Sequence, residues 1–190
     1  MRTRLYLGVV AALSMLSACQ NQLGPSFSSL EAYFTARVEG AMSVDYQGGG
    51  SLYLGVFEDG SPQFLVLSSG FGSSTGQSFR LEGVFDGPPK PGTYSILSPE
   101  YDGSVLRPPD GAFNVYYGSR PAAFAGGESS AFSGVNGTVT ISHSSTERVE
   151  GHLTFAGKGD EGSSSAGATI QVTGSFAVIP AQVDTAYSLH

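Results

Sequence analysis

The side chains best suited to chemistry are few. The chain has three histidines, His143, His152 and His190. His143 and His152 fall in one stretch of alternating apolar residues, and two imidazoles on one strand face would make half of a zinc site. The alternation argues against that pairing. With Val139 and Ile141 turned to a core, and Val149 and Leu153 answering them, His143 takes the core-side parity near a strand end and His152 points the other way. They then serve as a rim histidine and a solvent-facing one. Nucleophilic catalysis needs a nucleophile, a base and an orienting group within reach. Serines are plentiful, but the nearest approach to a nucleophile elbow, Gly70-Phe71-Gly72-Ser73-Ser74, lacks both the spacing and the strand-to-helix setting. Glu100, Asp102 and Asp110 gather in a Pro-rich stretch and offer oxygens for a weak calcium site. Asp102 and Asp110 each precede a glycine, and turn formation is the commoner use of that pair. As a glycosidase pair the same carboxylates would have to be fixed across a cleft. Neither a phosphate loop nor a dinucleotide fingerprint occurs. No catalytic residue, metal ligand or cofactor is assigned, and of the possible functions a hydrolase has the least support.

Aromatic side chains offer a different chemistry. Tyr101, Tyr116 and Tyr117 stand near or beside the acidic stretch. Exposed tyrosines bind sugars through a stacked ring and a hydroxyl. Tyr116 and Tyr117 are adjacent, so on a strand they face opposite ways. One is then a core aromatic and the other a half-buried neighbour.

Cys19 is the only cysteine, so it has no disulfide partner within the chain. It follows a positive start (Arg2, Arg4) and an almost wholly apolar run over 5–16. That run is shorter than the about 20 residues that span a bilayer and suits a helical signal peptide. Leu16-Ser17-Ala18-Cys19 resembles the lipobox of bacterial lipoproteins. The resemblance implies cleavage between Ala18 and Cys19, a diacylglycerol on the sulfur and an acyl chain such as palmitate on the new amine. Two or more chains anchor a protein stably where one does not. The alternative is an ordinary secretory signal with a cysteine beside its cleavage site. Gln20 in place of Asp implies the default route to the outer membrane. Whether the domain then faces periplasm or medium is open.

Loss of residues 1–18 removes Arg2 and Arg4 and no acidic residue, so Lys plus Arg falls from 9 to 7 against 16 carboxylates and the formal charge moves from −7 to −9. Such a chain lacks the clustered cations that nucleic acid requires. It is repelled by anionic lipid, which leaves the acyl chains as its membrane contact.

These residues must be positioned by strands. The 27 glycines, 21 tyrosines and phenylalanines and absence of tryptophan point to many short strands rather than helices. Residues 20–30 are small and polar and read as a tether within 19–30, leaving 31–190 as one domain. From Tyr33 the period is two: Phe34, Ala36 and Val38 alternate with Thr35, Arg37 and Glu39. Phe64-Leu65-Val66-Leu67 is continuous and suits a strand covered on both faces. Asp59-Gly60, Asp86-Gly87, Asp102-Gly103 and Asp110-Gly111 mark turns that need positive φ. Stretches 98–111, 118–131 and 157–167 read as long loops, the last rich in Gly and Ser and mobile. Arg37-Val38-Glu39-Gly40, Arg80-Leu81-Glu82-Gly83 and Arg148-Val149-Glu150-Gly151 share one pattern, which on a strand puts Arg and Glu on one solvated face. The expected fold is an all-β antiparallel sandwich of roughly ten short strands. A partly closed barrel is the alternative.

Gly137-Thr138-Val139-Thr140-Ile141, then Gly151-His152-Leu153-Thr154-Phe155, then Val172-Thr173-Gly174-Ser175-Phe176 resemble the end of an uncharacterised family of β-rich lipoproteins common in Bacteroidota and their relatives. That resemblance carries no catalytic residues. The leading expectation is a lipid-anchored envelope protein with a non-enzymatic binding or structural role, whose partner is a protein or a glycan. A module for a glycan or a small apolar ligand is the alternative.

Overall fold

A computed structural model describes residues 32–70, 76–98, 100–101, 106–119 and 129–181, with the backbone alone at 100, 101 and 106. The segments read from the sequence as signal peptide and tether, with Cys19, lie outside the described residues. The elements are strands: β1 Tyr33–Gly40, β2 Val44–Val56, β3 Pro62–Gly70, β4 Gln77–Val84, β5 Gly92–Ile96, β6 Glu100–Tyr101, β7 Leu106–Arg107, β8 Phe113–Ser119, β9 Ser130–Ser144, β10 Val149–Gly159 and β11 Thr169–Pro180. Nine close into a barrel in the order β1-β11-β10-β9-β5-β8-β4-β3-β2, and β6 pairs with β7 apart from it. The all-β expectation holds. Of the two arrangements the alternation allowed, the barrel forms rather than the sandwich. The reason is that β1 pairs with β2 on one side and with β11 on the other, so the first and last strands are neighbours.

Closure depends on strands that change partner. Residues 44–48 of β2 lie along β1, whereas Ser51 and Leu52 run parallel to Ile179 and Pro180 of β11. The switch occurs at Gly48-Gly49-Gly50. A Cβ at Gly48 would sit 2.4 Å from the Ser69 carbonyl oxygen, and one at Gly50 would sit 2.7 Å from a Val178 methyl. Only glycine lets the backbones approach this closely at the corner. Turn chemistry follows the sequence at Gly60, Gly87 and Gly111, whose φ angles are 81°, 88° and 71°. Asp102-Gly103 lies outside the described residues.

The barrel interior is packed. Seven of the twelve phenylalanines, Phe34, Phe64, Phe79, Phe113, Phe132, Phe155 and Phe176, are at most 1% exposed. One group of rings centres on Phe34, stacked on Phe79 at 4.8 Å and on Phe176 at 5.9 Å. Another joins Phe64, Phe85, Tyr94 and Phe113. Most outward positions along β10 and β11 are polar, among them the exposed His152, Thr154 and Lys158, and Gln171, Thr173 and Ser175, while Ile179 near the end of β11 is exposed and apolar. This alternation is the reverse of a membrane barrel, whose lipid-facing band is apolar.

Three local expectations are corrected. The run from Phe64 to Leu67 is covered on one face only: Phe64 and Val66 are buried, Leu65 is half-buried and Leu67 is 40% exposed. The stretch 157–167 is not a free loop. Residues 157–159 belong to β10, and the turn that follows is pinned by Ser165, which donates to the Ala131 carbonyl at 2.9 Å and accepts from the Ala131 amide at 3.1 Å. Finally, His143 and His152 do not face opposite ways. A register shift sets Glu150 across from His143 but Gly151 across from Ile141, so Ser142 is extra. That bulge turns His143 to the outer face, where His152 also lies, and both are exposed.

Tyr33 lies across from Ala177, and Gly40 lies across from Ile170. The chain therefore enters β1 and leaves β11 at one end of the barrel. The β10–β11 turn is at the other.

Candidate functional site

The Arg-x-Glu pattern on β4 is where the outer wall differs most from a plain solvated face. All three copies form their ion pair: Arg37 with Glu39 at 2.7 Å, Arg80 with Glu82 at 2.5 Å, and Arg148 with Glu150. The first pair is exposed on both sides. On β4, by contrast, the Glu82 side chain is only 4% exposed. Arg80 donates both Nε and Nη2 to one Glu82 oxygen, at 3.0 and 2.5 Å. A buried carboxylate needs such a partner, because an uncompensated charge there is strongly destabilising.

Antiparallel pairing sets Arg80 across from Tyr116 of β8 and Glu82 across from Asn114. The guanidinium carbon of Arg80 lies 5.8 Å from the Tyr116 ring centre, within cation–π range. Burial pushes the Tyr116 phenol up from its ordinary value, with the Asn114 amide acting in the opposite sense. That amide is close to Tyr116, yet neither its nitrogen nor its oxygen reaches a partner with hydrogen-bond geometry.

Beside this stack runs a groove of about 270 Å³, lined by Arg80, Tyr116, Asp160, Ser78, Gly118 and Ala131 together with the backs of Tyr117 and Phe132. Its floor is small residues: Ser78, Gly118 and Ala131 are neighbours across β4, β8 and β9. Asp160 is placed by the pinned turn. Its amide donates to the Ala131 carbonyl at 2.9 Å, and Ser133 donates its hydroxyl to the Asp160 carboxylate at 2.7 Å. A second hollow of about 380 Å³ shares Ser78, Gly118 and Ala131 and continues past Ser119, Ser129 and Ser130. The two make one cleft with a charged, aromatic end and a hydroxyl-lined end.

Of the three tyrosines singled out in the sequence, Tyr116 lines this groove. Tyr117 is corrected: it is fully buried with its ring turned into the barrel, as its adjacency to Tyr116 requires, so it packs at a tilt against Phe79, ring centres 4.8 Å apart, and not on a ligand. The side chain of Tyr101 lies outside the described residues. Asp110 accepts from Arg107 at 2.7 Å, and Arg107 also reaches Asp59 at 3.0 Å, so Asp110 ties a turn. Glu100, by its side chain, and Asp102 lie outside the described residues. Among the described residues no group of three or more His, Cys, Asp or Glu is placed to hold a metal ion. Sequence reasoning missed Arg80 and Asp160 as groove residues. Arg80 was visible only as one copy of a repeated pattern, and Asp160 owes its position to a turn read as mobile.

Inside the barrel, Tyr46 and Ser68 share a hydrogen bond of 2.7 Å, while the Tyr117 hydroxyl is buried with no partner. Burial raises the Tyr117 phenol to about 12, with Tyr46 adding to the effect. An unsatisfied buried hydroxyl costs free energy that a methine in its place would not. Tyr117→Phe should therefore leave stability unchanged or raise it by about 1 kcal/mol in urea unfolding. A loss above that size would show that the hydroxyl has a partner. The raised value also fixes a pH dependence. The neutral phenol is the form the fold accepts, so its contribution is intact below pH 10 and is lost as pH rises toward about 12. The Phe variant should lose less stability across that window.

Away from the groove, the wall formed by β2, β3 and the end of β11 exposes Tyr53, Leu67 and Ile179. Ser51 pairs with both Leu67 and Ile179, and Tyr53 pairs with Leu65, so these side chains are contiguous. In comparisons with models of known families, with curated protein sequences and with solved structures, none matches this chain.

Proposed function

We propose that the protein is a cell-envelope lipoprotein, held in the outer membrane through lipidated Cys19, whose barrel is a non-enzymatic binding module. The observation that carries the reading is the placement of the groove. Tyr116, Gly118, Ala131 and Asp160 lie toward the end where β10 turns into β11, and Tyr33, where the tether joins, lies at the opposite end. A tether on the entry side presents such a groove away from the membrane. The charges there also favour recognition over catalysis, because Arg80 is committed to Glu82 and Asp160 to Ser133. The packed rings argue for a rigid scaffold with its ligand on the outside. Docking of a protein partner is a second reading, favoured by the contiguous exposed side chains of Tyr53, Leu67 and Ile179.

Cys19→Ser tests the anchor. The variant should accumulate as an uncleaved or soluble precursor, and fractionation should find it depleted from the outer membrane. Membrane retention equal to that of the unaltered chain would contradict the lipobox reading.

A further inference from the structure

We infer that the cleft over β4, β8 and β9 is a binding site for an uncharged oligosaccharide; this rests on the reading of the barrel as a binding module. Three observations select the class. First, the cationic group is neutralised in place. Arg80 spends two donors on buried Glu82 and lies over Tyr116, so the groove gives a free anion no unpaired cation among the groove residues. Second, apart from the paired Arg80 guanidinium, the polar side-chain atoms that line it are hydroxyls and one carboxylate, the groups that bond sugar hydroxyls. Asp160 keeps acceptor capacity after the Ser133 bond, since a carboxylate has about four lone-pair sites. Ser78 stands on the floor, and Ser119, Ser129 and Ser130 continue the line of hydroxyls. Third, the shape is an open channel beside a half-buried aromatic ring, with Gly118 and Ala131 keeping the floor low. A pyranose presents a C–H face to such a ring and hydroxyls at its edge. A chain of sugar rings then runs from the Tyr116 end toward the serines.

Gly118 makes the idea testable without unfolding the barrel. A Cβ there meets only the Ser78 hydroxyl, at 3.4 Å, which is ordinary contact. Gly118→Leu should fill the floor and leave the melting temperature within a few degrees. The full chain and the Gly118→Leu and Tyr116→Ala variants would be titrated against immobilised neutral oligosaccharides, acidic oligosaccharides and extended peptides. The expected result is binding of at least one neutral oligosaccharide, weakened about tenfold or more by each substitution. A neutral-sugar signal that Gly118→Leu leaves unchanged would overturn the site. Binding of peptides or acidic sugars in place of neutral ones, lost in Gly118→Leu, would overturn the ligand class and leave the binding-module reading standing. Binding of no probe would overturn this inference, whereas loss of the anchor in Cys19→Ser is read separately.

Discussion

Phe34→Ala should lower the unfolding free energy by about 3–5 kcal/mol, enough to unfold a large fraction of a marginal domain. Phe34 is fully buried and touches three other rings: Phe79 and Phe176 stacked, and Tyr46 edge-on at 6.0 Å. It is also on β1, the strand that joins β2 to β11 and so closes the barrel. Truncation removes apolar surface from the interior and leaves a cavity that rigid strands on either side cannot collapse to fill. Urea unfolding followed by tyrosine fluorescence measures the change. A loss under about 1 kcal/mol would mean that the ring stack does not hold the seam.

Gly137→Ala should cost a comparable amount, about 3–5 kcal/mol, for a different reason. Gly137 has φ of 148°, a conformation that L residues rarely adopt. A Cβ there would lie 2.2 Å from the Thr154 carbonyl oxygen and 2.6 Å from the Phe155 Cα. Both are backbone, so neither can swing aside. The position matters to the topology. Residues 130–133 of β9 pair with β8, whereas residues 137–141 pair with β5, and the register against β10 shifts between Ala156 and Gly157. Gly137 sits where β9 passes from one partner to the next. Gly60→Ala is the comparison. Its φ is also positive, 81°, but nothing lies within 4 Å, so the strain alone should cost about 1–2 kcal/mol. Equal losses at both positions would show that crowding at Gly137 is relieved by backbone movement.

The contrast between these glycines shows what the sequence could and could not convey. Period two correctly turns Phe34, Val38, Phe79 and Val139 inward, because a side chain's face depends on its own strand alone. Closure depends on relations between strands that are far apart in the chain. The Gly48-Gly49-Gly50 corner was not singled out in the sequence, because its meaning comes from Ser69 and Val178, which approach it from β3 and β11. The same limit explains the histidines. One bulge at Ser142 reverses the parity of His143, and no local residue type announces it. The groove was half legible. Tyr116 followed from its adjacency to Tyr117, whereas Arg80 became distinctive only through the burial of Glu82, and Asp160 only through a turn held by Ser165. The Arg37–Glu39 copy is the solvated pair the pattern suggested, and the Arg148–Glu150 copy is a half-buried one. The third shares its wall with an aromatic neighbour and a hollow.

Lipidation at Cys19, as proposed, would anchor the chain ahead of β1, at the barrel end opposite the groove. The direct test is the intact mass of the protein extracted from membranes. Lipidation as proposed gives a chain that begins at Cys19 and is heavier than residues 19–190 by a diacylglycerol and one further acyl chain. A chain of unmodified residue mass, or one that begins at any other residue, would contradict it.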